Sequence, residues 1–328
     1  MENQNYIIKK KVIGVDISNS RTTYAIVDIR GNISAKETFA TSDYPDVNEF
    51  VSVLSEHILT LVEANGGYET IRSIGVSAPS ANSLTGYIEN AANLPWKGSI
   101  PLAVMLRERI GLAVGLSNDA HISALGEQAF GSAHGMQNFI VISLGIGLGS
   151  CFFNEGREHH GNLGYAGEFG HTCVEDHGRL CGCGHRGCLE AYAGAKGIVQ
   201  TAHEMMDGNS EPTLMRNVEK LTPRIIAECC DKGDGMAIEV FRRTGYMLGI
   251  GVANYASIVD PEAIILTGGI SHAGKWLIEP MRESFEDHIF GNMRGKVKVL
   301  LSELDDGERD VLGASVLAWS VPEYSLFK

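Results

Sequence analysis

Apolar and polar positions alternate at the start of the chain in a way that predicts strands. Val12-Ile13-Gly14-Val15-Asp16 reads as a buried strand, Ser18-Asn19-Ser20-Arg21 as a polar turn, and Thr23 to Val27 as the returning strand. Arg30-Gly31-Asn32 signals a further turn before a third strand. The period then lengthens. Val47, Phe50, Val51, Leu54, Ile58 and Leu61 recur at three- and four-residue steps, the apolar face of a helix. Ile71 to Ser77 is a second buried strand, closed by Pro79, and Ala113 to Ser117 is a third that runs into a helix over 120–130.

The same plan returns about 130 residues later. Phe139 to Leu144 reads as a strand, Gly145-Ile146-Gly147-Leu148-Gly149 as a turn like those that hold phosphate, and Ser150 to Phe153 as a returning strand closed by Asn154-Glu155-Gly156. Met236 to Ile258 is a long helix stopped by Asp260-Pro261. Ala263 to Thr267 is a buried strand ending in Gly268-Gly269, Val297 to Leu301 is another strand, and Val311 to Trp319 is a final helix. Two strand–turn–strand units, each followed by helix and strand, predict two similar α/β domains facing each other across a cleft. The expected division is a first lobe over 1–120, completed by the helix in 311–328, and a second lobe over 121–310.

Composition narrows the function. A length of 328 residues suits two domains at a prior of about 150 residues each. The formal net charge of −13 repels phosphate backbones and anionic lipid, which argues against a nucleic-acid binder or a membrane-surface protein. Residues 1–11 carry no long apolar run or cleavage pattern, and the longest apolar run, Phe139 to Phe153, is too short and too glycine-broken to span a bilayer. The expected location is the cytoplasm.

Seven cysteines with uneven spacing do not read as a disulfide framework. Three stand within eight residues, at Cys181, Cys183 and Cys188, with glycines between them. That spacing lets one tight loop wrap a small ion, and zinc takes four S or N ligands in a closed structural site. His171 is the preferred fourth ligand, with His177 and His185 as competitors; a reduced thiol cluster without metal is the alternative. Cys151, Cys229 and Cys230 read as core packing.

Taken in order, these segments resemble the ROK family of sugar kinases and regulators, within the wider actin/hexokinase ATPase fold. The resemblance rests on Asn118-Asp119-Ala120, on Gly164-x-Ala166-Gly167-Glu168-x-Gly170-His171, and on Cys181-x-Cys183-Gly184-x-x-Gly187-Cys188-Leu189-Glu190, supported by Pro79 and the stretch 86–96. It covers nearly the whole chain from Val12 to Trp319. The first strand begins near residue 11, so the expected branch is the kinases rather than the repressors with an N-terminal helix-turn-helix domain.

The resemblance implies two ribonuclease H-like domains flanking a cleft, with a zinc-binding loop over 171–188. It also implies an ATP-dependent transfer to a hexose or N-acetylhexosamine hydroxyl, expected at the 6-position. Phosphoryl transfer needs a carboxylate to take the hydroxyl proton, and Asp119 fits that place at a strand end; an ordinary helix N-cap is the competing role. Asn93, Asn118, Asp119, Glu168, His171 and Glu190 would hold the sugar. His171, Cys181, Cys183 and Cys188 would hold a structural Zn2+. Asp16, Ser20, Arg21, Gly145, Ile146, Gly147, Gly268 and Gly269 would meet the nucleotide, with Mg2+ accompanying ATP. A homodimer is expected by analogy.

Both phosphate loops depart from the family pattern. The first usually reads Asp-x-Gly-Gly-Thr-Lys and here reads Asp16-Ile17-Ser18-Asn19-Ser20-Arg21; the second usually reads Gly-Thr-Gly and here has Ile146 at its centre. Those changes keep a second function open: a sugar-binding sensor of the same fold that no longer phosphorylates.

Overall fold

The structure, a computed structural model, describes residues 9–91 and 93–322. The chain forms β1 (Lys11–Ile17), β2 (Thr22–Asp28), β3 (Ile33–Phe39), α1 (Val47–Ala64), β4 (Ile71–Ser77), β5 (Ala81–Asn82), β6 (Tyr87–Glu89), β7 (Ser99–Ile100), α2 (Leu102–Ile110), β8 (Ala113–Ser117) and α3 (Asp119–Phe130). It continues through β9 (Phe139–Leu144), β10 (Leu148–Asn154), β11 (Arg157–Glu158), α4 (Glu190–Ala193), α5 (Ala195–Gly208), α6 (Pro223–Asp231), α7 (Gly235–Val259), β12 (Ala263–Thr267), α8 (Lys275–His288), β13 (Lys298–Leu301) and α9 (Arg309–Ser320). No helix of the described residues is long and apolar enough to cross a membrane.

Two compact units emerge. The first runs to His134 and adds Gly161–Tyr165 and the chain from Leu304; the second holds Gly135–His160 and Ala166–Glu303. Each is built on a five-stranded sheet, ordered β3-β2-β1-β4-β8 in the first and β11-β10-β9-β12-β13 in the second. In both, an antiparallel three-strand meander is extended by two parallel strands. Each sheet has its own apolar core.

Within the first unit, α9 lies on the sheet because the sheet gives it a groove. Gly14, Gly75 and Gly115 stand in one row across β1, β4 and β8. A Cβ at Gly75 would fall 1.9 Å from the Ala314 carbonyl oxygen, and one at Gly14 would fall 2.1 Å from that of Val311. The helix backbone therefore rests directly on the strands, which explains why the last helix joins the first unit. The helix α3 packs against the other side of α9, where Gly313 admits the Ile122 carbonyl.

In the second unit, α7 begins where the Asp234 side chain accepts the Met236 and Ala237 amides, and it ends at Asp260 in left-handed geometry (φ 52°). The β9–β10 turn is tighter than its glycines suggest. The expected turn over 145–149 closes within Gly145–Gly147, and β10 starts at Leu148, because the buried Leu148 side chain already packs in the core.

Candidate functional site

The first unit places one acid near the end of β1 and another just after β8, with β4 between those two strands. Asp16 closes β1 beside Ser77, its register partner at the end of β4. Burial pushes its carboxyl up to about 7, helped by the negative charges of Asp310 and Asp119; a hydrogen bond from Ser77 and the Arg309 guanidinium offset only part of this. Arg309 is itself buried, donating to Asp306 Oδ1 at 2.6 Å and to Asp310 at 3.1 and 3.3 Å, while Ser123 on α3 donates to Asp310 Oδ1 at 3.0 Å. Asp310, Arg309, Ser77 and Ser123 were not legible as site residues. Their relevance depends on α9 lying against β1 and α3, which no local motif announces.

Asp119 opens α3 at an exposed position after β8. The N-cap role belongs to its neighbour: the Asn118 side chain accepts the His121 amide at 2.9 Å. Asp119 Oδ1 accepts the adjacent Ala120 amide at 2.9 Å. Asn118 is thus largely committed to the helix, which competes with its expected role on a sugar. Asn93 is exposed and lies in the loop after β6. The β1–β2 turn closes on itself: Ser18 Oγ donates to the Arg21 carbonyl at 2.8 Å and accepts the Arg21 amide at 3.2 Å. None of Ser18, Asn19, Ser20 and Arg21 takes positive φ, so this turn is built without the family's glycine pair. Ser20 and Arg21 are exposed at its tip.

The second unit assembles the histidine and the thiols. The ligand atoms of His171, Cys181, Cys183 and Cys188 all lie within 4.8 Å of one another. Cys183 Sγ is 3.7 Å from Cys188 Sγ, and His171 Nδ1 is 3.6 Å from Cys181 Sγ. Ligands about 2.3 Å from a tetrahedral zinc stand about 3.8 Å apart, so the donor set fits that ion in type, number and spacing. Neither competitor joins this group of converging donor atoms: His177 is exposed and faces Asp176 at 3.4 Å, and the His185 ring is not among the ligand atoms that meet there. With Nδ1 turned to the sulfurs, the other ring nitrogen of His171 faces outward, 3.9 Å from Glu168 Oε2. Burial pushes the Cys188 thiol up to about 12 when no ion is bound. Cys151, Cys229 and Cys230 are buried as expected, while Cys173 is exposed.

Glu190 opens α4, two residues after Cys188. Its Oε2 accepts the Leu148 amide at 2.9 Å, and its Oε1 lies 3.8 Å from Cys181 Sγ. Gly145, at the entry of the turn, borders a cavity of about 570 Å³ that is also lined by Ala195, Thr222, Arg224, Glu228, Asp231, Gly269 and His272. Gly268 has φ +87°, and a Cβ there would fall 2.5 Å from the Leu144 carbonyl oxygen, so this position admits glycine alone. One residue earlier, the buried Thr267 hydroxyl has no hydrogen-bond partner among the described residues. A glycine-edged hollow with an apolar wall suits the base and ribose of a nucleotide, while its one guanidinium, on Arg224, is already paired with Glu228 at 3.1 Å. Thr222 and Arg224 escaped sequence reasoning because α6 is distant in sequence from both glycine loops, whereas Ile270 and His272 directly follow Gly268-Gly269 and carry no motif of their own.

The ROK family matches residues 12–321 of the chain. A glucokinase of Halalkalibacterium halodurans is 33% identical over 284 residues, covering 84% of each chain. A xylose repressor of Caldicellulosiruptor bescii is 27% identical over 322 residues, covering 96% of this chain and 80% of the repressor. Among solved structures, a ROK family glucokinase from Streptomyces griseus in complex with glucose and AMPPNP is 32% identical, with a TM-score of 0.78, covering 94% of this chain and 99% of that one.

Proposed function

The chain belongs to the ROK family, with the α/β fold of the actin/hexokinase ATPase type, and is a sugar kinase; we propose that it transfers the terminal phosphoryl group of ATP to the 6-hydroxyl of a hexose or N-acetylhexosamine, with Asp119 as general base. One observation supports this above the others. Asn118 takes the N-cap of α3, and the Asp119 carboxyl stands exposed beside it at the end of β8, with Oδ1 on the Ala120 amide.

In this reading Asp119 orients the hydroxyl and accepts its proton as the oxygen attacks phosphorus. His171 offers Nε2–H to the sugar while Nδ1 binds the metal, so the ion fixes both ring and tautomer. Glu168, Glu190, Asn93 and Asn118 supply further acceptors and donors for hydroxyls. Asp16 holds the magnesium ion or its waters, an oxygen donor in a net negative surround, as that ion requires. Bound Mg2+ neutralises charge on the phosphates of ATP. Ser20, Arg21, Gly145, Ile146, Gly147, Gly268 and Gly269 flank the nucleotide, and zinc at His171, Cys181, Cys183 and Cys188 is structural.

A coupled assay for ADP release, run with Mg-ATP and a panel of hexoses, tests the reading. Asp119→Ala is expected to lower turnover at least about hundred-fold, the scale of a positioned base, with sugar binding largely kept. Calorimetric sugar binding without ADP across the whole panel would favour the sensor instead. That second reading draws on Ser18 and Ile146 in the phosphate loops and on the similarity to a xylose repressor.

A further inference from the structure

The turn Gly145–Gly147 is held by one short segment at both ends. At its exit, the Leu148 amide donates to Glu190 Oε2 at 2.9 Å. At its entry, the Gly145 carbonyl accepts the Ala195 amide at 3.0 Å. Both partners lie in 190–195, which follows Cys188 without interruption. Leu189, fully buried against Gly251 of α7, sets the segment's depth, and Glu190 Oε1 stands 3.8 Å from Cys181 Sγ. The fit around Glu190 is close: a Cβ at Gly147 would fall 2.5 Å from Glu190 Oε2.

We infer that Glu190 is a positioning residue that couples the histidine–thiol metal site to the nucleotide-side turn, so that filling the metal site orders Gly145–Leu148. The sugar contact expected of Glu190 concerns a different partner; this coupling runs along the chain from Cys188 and through the carboxylate to the turn. A carboxylate accepting a backbone amide is a strong hydrogen bond, and the second shell of a metal site is where such bonds transmit the ion's position. The inference rests on the kinase reading only where it concerns nucleotide affinity.

Hydrogen exchange over 143–150, read by mass spectrometry, tests the coupling directly. Four proteins are compared: zinc-loaded wild type, the same protein stripped with a chelator, and zinc-loaded Glu190→Ala and Glu190→Gln. Stripping or the alanine change should speed exchange of this stretch about ten- to hundred-fold, the equivalent of one hydrogen bond to a charged group. The glutamine variant should stay slow, because its amide oxygen still accepts from Leu148. Exchange over β12 reports whether the unit remains folded. Should stripping speed β12 equally, the Ala and Gln variants decide, and equal exchange in those two overturns the inference. Indifference of 143–150 to metal in folded protein also overturns it.

Calorimetry with a non-hydrolysable ATP analogue, without sugar, adds the functional readout: affinity should fall at least about ten-fold on stripping wild type, with no further loss on stripping Glu190→Ala. Binding of equal strength with and without metal sinks the coupling. An analogue that binds none of the proteins, with exchange behaving as described, sinks the kinase reading and leaves the coupling standing.

Discussion

The β1–β2 turn and the β9–β10 turn occupy the same place in two sheets of the same strand order, and they are held in opposite ways. The first is closed mainly from within: Ser18 clamps Arg21 through both its hydroxyl and its backbone amide, and one bond comes from outside, the Thr41 amide donating to the Ser20 carbonyl at 3.2 Å. The second makes only Gly145 N–H to Gly147 O within itself and takes its other anchors from Glu190 and Ala195. The strands behind them differ too. Asp16 pairs with Thr23 and Ser77, whereas its counterpart Ser143 pairs with Gly149 and Thr267. One copy of the motif thus carries a carboxylate at the root of a stiff turn. The other carries hydroxyls at the root of an open turn whose shape is set from outside. In the kinase reading proposed above, the repeated element is divided between holding a cation and admitting phosphates, and the second turn takes both of its outside anchors from 190–195.

The comparison breaks most sharply at Gly147. An alanine there must displace the Glu190 carboxylate, which otherwise would lie 2.5 Å from the new methyl. We expect Gly147→Ala to weaken binding of an ATP analogue about ten- to hundred-fold by calorimetry, the loss of one charge-assisted bond, while the thermal midpoint moves little. Unchanged nucleotide affinity would show that the second turn keeps its shape without Glu190 and that the two turns are alike after all.

How much of this was readable beforehand follows the range of the interactions. The meander strands and α7 were legible because their signals are local: alternation, a three-to-four period, Asp234 before the helix and Asp260-Pro261 after it. The convergence of His171 with the three thiols was legible because Cys181, Cys183 and Cys188 fall in one loop. The row Gly14, Gly75, Gly115 was not, since register between β1, β4 and β8 is a tertiary fact that single strands do not encode. Neither was the cap at α3: Asn118 and Asp119 are both good capping residues, and only coordinates tell which one accepts the His121 amide. The acid surround of Asp16 was hidden for the same reason as the glycine row, because Asp310 comes from the far end of the chain.

That surround makes the first turn's root sensitive to pH. The Asp16 carboxyl is raised to about 7 from an ordinary value of 3.8, so between those values the folded state holds a proton that the unfolded chain gives up. Its contribution to stability is therefore greatest at low pH and is lost as pH rises towards 7. Asp16→Asn removes the charge without the proton. In nucleotide-free protein, we expect it to raise the thermal midpoint by several degrees at pH 8, where about 1 kcal/mol corresponds to roughly 2–4 °C, and to leave it nearly unchanged at pH 4. The same variant should lose Mg-ATP turnover. An equal shift at both pH values would mean that burial of the side chain, and not its ionisation, governs this corner. The equivalent change at Ser143 in the second unit carries no such pH signature.

The smallest expected effect lies at Ile146. The side chain at the tip of the second turn is 66% exposed, so a threonine there meets no packing constraint. Its β-branched shape keeps the local backbone preference of isoleucine and adds the hydroxyl found in the family's usual turn. A single new hydrogen bond to phosphate contributes about 0.5–1.5 kcal/mol net, which predicts a two- to ten-fold lower KM for ATP in Ile146→Thr with kcat little changed. The gain should vanish when Gly147→Ala is added, because a hydroxyl helps only if the turn beneath it is held in place. A gain that survives the second change would mean that phosphate contacts at Ile146 do not need the Glu190 anchor, and the contrast between a self-closed turn and a propped one would lose its functional meaning.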